Sequence, residues 1–597
     1  MSNPAHRHSS GSTGFSPLLA GTIAIVVVAA AAAEAAVQLG ARIDHWRHPP
    51  PVDPLALVLE LADGKTGWPP AATSLLAIGG GLLLLIAVVV VISLVRGASR
   101  RTHADRAARV MGRGRDVHPV SRVNARATAK RFGVAQEGLP VARAVSSGQP
   151  LYATWEDMQC DIWGPRRGKT SSRAIPTLLS APGAAFATSN KPDLHSSTRL
   201  LREDLGQVWN FDPERLAGGE PTWWWNPLSY VTSDRRALEL TDAFVGAYRD
   251  PDARPDPFFD PAGQELVANL LRAAALDNRP ITQALLWSTR PNDDEPARIL
   301  EEHGLELAAA SVLDHVHSPF EQRGGVFGTA RQILSFLRDP DVGRWVTADA
   351  HTDHRPQLDL DAFVQSADTL YLHSKEGQGS TAGLVTALAM ALCDAAEQHA
   401  KYSPGGRLPV PLVGVLDEAA NICRWRQLPD LYSHYGSRGI SLLTLLQSWS
   451  QGAQVWGQTG MRKLWGSSNV RVYGGGVAEE DFLSDLEKLI GEYNRMVASP
   501  SKQRAANGAS SSTSWQLTPT PILTVAELAA LPRDRTIILP SGAPAILAKP
   551  VAWWDSKDAQ QIRQSIAQHD PSPPRSPSTP KPEPARQLER NPWITTA

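Results

Sequence analysis

The chain has 597 residues, about four times the ~150 of a typical domain, which excludes a single compact core. Apolar residues at 42% and charged residues at 20% give a globular balance and exclude a chain disordered along its whole length. With 59 Lys and Arg against 60 Asp and Glu, any basic surface is local.

The first predicted elements are two helices that cross a membrane, within residues 17–95. Leu18 to Leu39 is apolar except for Glu34 and Gln38 near its end, and Leu75 to Val95 carries no charge. Each is close to the ~20 residues that span hydrocarbon as a helix. From Arg96 to Arg131 eleven Arg or Lys face only Asp105 and Asp116, whereas Arg42 to Pro70 holds three basic residues against four acids. The positive-inside rule then places the basic flank in the cytoplasm. Residues 1–16 become a cytoplasmic tail, 41–70 a short external loop, and 96–150 a basic juxtamembrane linker.

A first part of an α/β domain is expected over 151–228. Met158-Gln-Cys-Asp-Ile-Trp-Gly-Pro-Arg-Arg-Gly-Lys-Thr-Ser-Ser172 reads as a strand, a phosphate-binding loop and the start of a helix. The loop spans Gly164, Pro165, Arg166, Arg167, Gly168, Lys169, Thr170 and Ser171. Its backbone N–H groups would wrap phosphates, Lys169 would reach the β- and γ-phosphates of ATP, and the Thr170 hydroxyl would bind Mg2+. Only three residues separate Gly164 from Gly168, so Trp163 stands where the usual pattern has its first glycine.

Strands are predicted at 160–163, 184–188, 207–211, 369–372, 413–416, 440–446, 470–473 and 536–539, alternating with helical stretches in a doubly wound α/β pattern. Over 229–365 the period changes to helical, with Leu266, Val267, Leu270 and Leu271 in one segment and Ile333, Leu334, Phe336 and Leu337 in another. This predicts an all-helical insertion, with the α/β domain resuming over 366–555.

Val410-Pro-Leu-Val-Gly-Val-Leu-Asp-Glu418 is an apolar strand that ends in two acids. Asp417 would order the magnesium ion and Glu418 would polarise an attacking water. The strand at 440–446 ends in Gln447, an amide placed to sense the γ-phosphate at the strand-end crevice where open α/β sheets bind ligands.

Other features read as structural. Trp223-Trp224-Trp225 is a hydrophobic cluster over the sheet edge before it is a base-stacking platform. His351 and His354 lack further ligands of metal spacing, and Cys160, Cys393 and Cys423 hold no CxxC pair and read as reduced thiols. Ser499 to Thr513, rich in Ser, Ala and Gly, is expected to be a flexible loop. Residues 556–597 form a tail, disordered where Asp570 to Arg590 is dense in Pro and Ser.

Taken in order, the two apolar helices, the Gly-Pro-Arg-Arg-Gly-Lys-Thr loop, Thr188-Ser-Asn-Lys-Pro-Asp193, Trp225-Asn-Pro-Leu, Leu416-Asp-Glu-Ala-Ala-Asn, Ser437-Arg-Gly-Ile-Ser and Leu446-Gln-Ser-Trp-Ser-Gln resemble the type IV coupling proteins of the TraG/TraD class. The resemblance spans residues 17–555 and is most specific over Leu416 to Gln451; Trp163 and Ala419 depart from the family pattern. It implies a RecA-like P-loop NTPase, usually a homo-hexamer, in a bacterial inner membrane with its bulk in the cytoplasm. Such a protein uses ATP and Mg2+ to move DNA, held by its backbone, with an attached relaxase into the components of a type IV secretion channel. Arg438 is a candidate for the arginine that completes a neighbour's site. A secretion ATPase for protein cargo alone and a non-hydrolysing membrane scaffold are the alternatives.

Overall fold

A computed structural model describes residues 31–571 apart from 49, 52, 100–101, 249–255, 350, 378 and 506–507. The chain forms two compact units, divided after Arg101.

In the first unit, residues 31–43, Pro54–Ala62 and Pro70–Ser99 are helical, and Val37, Leu57 and Ala72 pack together. The second predicted apolar segment lies within the 30-residue helix Pro70–Ser99, whereas residues 18–30 of the first lie outside the described residues. Among the described residues no helix is long and apolar enough to cross a membrane.

The second unit is built on one eleven-stranded sheet. Its strands in chain order are β1 (Leu139–Ala144), β2 (Pro150–Ala153), β3 (Gln159–Ile162), β4 (Ala185–Ser189), β5 (Val208–Phe211), β6 (Thr369–His373), β7 (Leu412–Leu416), β8 (Ile440–Leu446), β9 (Val470–Tyr473), β12 (Thr536–Pro540) and β13 (Ile546–Lys549). A separate two-stranded ribbon comprises β10 (Glu492–Ala505) and β11 (Gly508–Pro521). Across the sheet the order is β2-β1-β13-β12-β9-β3-β8-β7-β4-β6-β5. From β9 to β5 every pairing is parallel, and the four strands beyond β9 add on antiparallel.

Central strands of such a sheet are covered on both faces, so they read as unbroken apolar runs. All seven residues of β8 are buried. Leu443 and Leu445 join the apolar layer on one face, and Leu442 and Leu446 join the layer on the other. This is a doubly wound α/β sheet, as the alternating strands and helices predict, with β8 between β3 and β7.

Between β5 and β6 the described residues form helices without a strand from Asp234–Tyr248 to Leu360–Val364. The predicted periodicity is their buried stripe: Leu266, Val267, Leu270 and Leu271 are at most 1% exposed, and Phe336 lies 4.9 Å from Phe244, centroid to centroid. Trp223 packs edge-on to Trp209 and Trp345 at 5.4 and 5.6 Å, so the tryptophan run is the apolar cover of the β5 edge.

Three stretches differ from expectation. Residues 499–505 and 508–513, expected as a flexible loop, are strand in the ribbon, in register from Glu492↔Pro521 to Ala505↔Gly508. Backbone pairing needs no apolar alternation, and this composition hides it. The presumed linker is folded from Thr102 onward. It supplies the helices His103–Ala107 and Arg122–Arg131 and the strand β1, and Asp105 accepts an ion pair from Arg535 at 2.5 Å. Finally, the tail begins with the helix Ala559–His569, where Ser565 donates to the Ser196 carbonyl (2.7 Å) and accepts the Leu200 N–H (3.2 Å). The Pro/Ser-rich segment from 572 onward lies outside the described residues.

Candidate active site

Strand β3 delivers the predicted phosphate loop to the C-terminal edge of the sheet. Trp163, in the position of the usual first glycine, is fully buried. Its ring faces Gly474, where an added Cβ would lie 2.0 Å from the indole, and its Nε1 donates to Asp161 at 3.3 Å. The indole is thus a core group behind the loop. Gly164 touches the turn at Gly476 so closely that a Cβ would sit 2.0 Å from the Gly476 carbonyl oxygen, a contact that only glycine permits. Gly164→Ala is therefore expected to destabilise the unit by about 3 kcal/mol, the upper range for overpacking, and thermal unfolding measures it.

Beyond Gly164 the loop turns with Arg166 at φ 57° and Gly168 at φ 86°. Pro165 and Arg166 are exposed. Arg167 bends away and donates to the carbonyls of Gly474 (3.1 Å), Leu531 (2.7 Å) and Pro532 (2.9 Å). Through its side chain it staples the loop to neighbouring turns, while its backbone stays part of the predicted phosphate-binding loop. The helix then opens with a wide turn, the Ile175 N–H bonding the Thr170 carbonyl. Pro176 is the local cause, because its ring cannot bond or pack against the carbonyl four residues before. Behind the loop, the buried Arg173 pairs with the buried Asp161 (2.6 Å) and donates to Gln159 and the Pro140 carbonyl, fixing this helix to β3 and β1.

Lys169 and Thr170 meet the end of β7. Lys169 Nζ lies 2.5 Å from Glu418 Oε1 and 3.3 Å from Asp417 Oδ1, and Thr170 Oγ1 donates to Asp417 Oδ2 at 3.0 Å. Both acids are nearly buried, at 3% and 6% exposure. Burial works to strip the Lys169 ammonium of its proton, but the charges of Asp417 and then Glu418 outweigh it and hold the pKa above its ordinary value. Glu418 sits in the left-handed region, φ 56° and ψ 39°, a costly conformation for a residue with a Cβ. That turn lets two consecutive residues face the same site.

Gln447, leaving β8, donates to both Glu418 oxygens at 2.9 and 2.8 Å. The sheet order explains the meeting, since β8 lies between β3 and β7. Thus Lys169, Thr170, Asp417, Glu418 and Gln447 converge from three neighbouring strands. Ser171 turns back to the Gly168 carbonyl at 3.1 Å. Arg438 is elsewhere: it ends the helix Leu428–Arg438, donates to the Gly406 carbonyl at 3.2 Å, and precedes β8. Seven strand residues, about 3.3 Å each, separate it from Gln447.

Three residues to which motif reading gave no role also enter. Asp193 opens the helix Asp193–Glu203, its carboxyl held above the ordinary range by burial and by the Asp417 charge. Asn421 donates to Glu418 Oε2 at 3.4 Å and to Glu376 Oε1 at 3.0 Å. Asn421 follows Glu418 by one helical turn, which the sequence offered as a signal; Glu376 carries none, being brought in by strand order alone.

The oxygen donors fit magnesium, which uses one or two carboxylates and otherwise keeps water and phosphate oxygens. Asp417 and the Thr170 hydroxyl supply that set. Among the described residues no group of three His, Cys, Asp or Glu is placed to hold a metal without other ligands, and His351 and His354 are both exposed.

Residues 411–533 match the family described as the TraM recognition site of TraD and TraG. The conjugal transfer protein TraG of Agrobacterium fabrum is 23% identical over 407 residues, covering 65% of this chain and 59% of that protein. The conjugal transfer protein TraG of Escherichia coli is 28% identical over 209 residues, 30% of this chain and 31% of that one. The chain thus spans less than two thirds of the curated relatives it matches. Among solved structures, the plasmid coupling protein TrwB in complex with ADP and Mg2+ is 14% identical with a TM-score of 0.49, covering 69% of this chain and 90% of that one.

Proposed function

We propose, from its kinship with the type IV coupling proteins of the TraG/TraD class, that this chain is a membrane-anchored, ATP-hydrolysing DNA translocase. In that reading it delivers a DNA–relaxase complex to a conjugative type IV secretion channel as a homo-hexamer. The observation that carries the hydrolytic part is the convergence of Lys169, Thr170, Asp417, Glu418 and Gln447.

Lys169, kept charged by its two acids, is the cation for the β/γ-phosphates and leaves Glu418 when they arrive. Thr170 and Asp417 would hold Mg2+, which when bound neutralises charge on the phosphate oxygens. Glu418, released by Lys169, accepts a proton from the attacking water, and Gln447 turns its amide toward the γ-phosphate. Arg438, remote from its own chain's site, serves a neighbour's in a closed ring.

ATP hydrolysis by the purified full-length protein, with and without single-stranded DNA, tests this. Stimulation by DNA is expected; turnover indifferent to DNA favours protein cargo, and a protein that binds but never hydrolyses ATP is a scaffold. Contact through the DNA backbone predicts that affinity falls steeply with salt and depends little on sequence. A salt-insensitive, sequence-selective complex would overturn that part.

The membrane anchor rests on the two apolar segments and the basic flank after Arg96. An impermeant thiol reagent on intact cells should label a cysteine at Asp53 and spare one at Leu489, which is 53% exposed in the folded unit. The native cysteines give little background because all three are buried. The opposite pattern reverses the orientation.

A further inference from the structure

Four strand ends are tied together beside Glu418. Glu214, after β5, accepts the Lys375 N–H and the Ser374 hydroxyl (3.2 Å), which fixes the loop leaving β6. Glu376 in that loop accepts the Asn190 amide, from the end of β4, and Asn421 Nδ2 at 3.0 Å, from beyond β7. The same Asn421 nitrogen lies 3.4 Å from Glu418 Oε2.

The donors around Glu418 are not equivalent. Lys169 and Gln447 both have phosphates to attend, and each must loosen its hold on the carboxylate to do so. Asn421 has no such duty; its other partner is Glu376. Glu418 also stands in a left-handed backbone geometry, and such a conformation is kept by neighbours that over-determine it.

We propose that Asn421 is a positioning residue for Glu418 and that Glu376 anchors Asn421. The aim of the carboxylate is then set by the loop after β6, the strand that follows the helical insertion. This rests on Glu418 as the water-activating group, and it adds a route by which the insertion could govern turnover.

The test compares the full-length parent with Asn421→Ala, Asn421→Asp, Glu376→Ala, Glu376→Gln and the double alanine variant, reading kcat, KM for ATP and thermal midpoint. Asn421→Asp keeps the shape and removes both N–H donors. Asn421→Ala should lower kcat about ten-fold, as misplacement of a reacting group does, with KM and midpoint unchanged; Asn421→Asp, which also sets a carboxylate against Glu376 and Glu418, should lower kcat at least as much and the midpoint with it. Glu376→Ala should lower kcat in the same way, while Glu376→Gln, which keeps an acceptor oxygen, should recover most of it. The double variant should be no slower than Asn421→Ala, because both changes break one chain.

Turnover within about two-fold of the parent in Asn421→Asp, KM rising as kcat falls, or additive loss in the double variant overturns the proposal. If Asn421→Ala does not fold, the contrast between Glu376→Ala and Glu376→Gln decides. A parent that hydrolyses no ATP overturns the reading of the site itself, and this proposal with it.

Discussion

Lys169→Ala should abolish nucleotide hydrolysis, lowering turnover by at least ~10²–10³-fold, the cost of losing one preorganised group that stabilises charge in a transition state. Its ammonium lies 2.5 and 3.3 Å from Glu418 and Asp417, so it is aimed before phosphates arrive and needs little reorganisation. The substitution has a second consequence. It leaves two nearly buried carboxylates side by side without their cation, and an uncompensated buried charge costs ~3–5 kcal/mol. Thermal unfolding should therefore fall as well, and ATP should no longer raise the midpoint, since a ligand stabilises only the fold that binds it. Hydrolysis at the parental rate by the variant would remove the nucleotide-site assignment.

Glu418→Gln should separate binding from chemistry. Glutamine keeps the shape of the side chain and an oxygen to accept from Gln447 and Asn421, but it cannot take a proton from water. General-base contributions run to ~10²–10⁴-fold, and turnover should drop by about that factor. The geometry adds a sharper expectation for affinity. In the parent, incoming phosphates must win Lys169 from a carboxylate at 2.5 Å; in the variant that competitor is neutral, so ATP should bind at least as tightly. Asp417→Asn should behave differently and weaken binding together with hydrolysis, because Asp417 accepts from Thr170 and in the proposed site would help hold Mg2+. Equal loss of ATP affinity in the two variants would show that Glu418 is not reserved for the chemical step.

Much of this was legible before any coordinates, for physical reasons that can be named. All eight predicted strands occur; the plainest are β7 and β8, which are buried throughout and so leave apolar runs that short-range patterning cannot disguise. The strands that escaped are of other kinds. β1 contains Pro140, β2 opens on Pro150, β13 runs directly into Pro550, and the ribbon's distal half is Ser-rich. At the site, Lys169, Thr170, Asp417, Glu418 and Gln447 were legible from their motifs, whereas contacts supplied by turns and loops distant in sequence were not. Lys169 and Thr170 announce themselves next to Gly168, but the staple made by the Arg167 side chain depends on Gly474, Leu531 and Pro532, which come to it only in the fold. The same holds for Glu376, whose neighbours Asn190 and Asn421 come from separate strand ends.

The pairing of β1 with β13 bears on how the protein is made. Arg143 lies opposite Lys549 in this ladder, so the first strand of the unit closes against the last. A ribosome adds ~5–20 residues per second, and the roughly 400 residues between these partners take on the order of 20–80 seconds to synthesise at that speed. For that interval the β1–β2 hairpin has an open edge. The exposed Arg143 on β1 is the kind of charge that keeps such an edge from recruiting another strand.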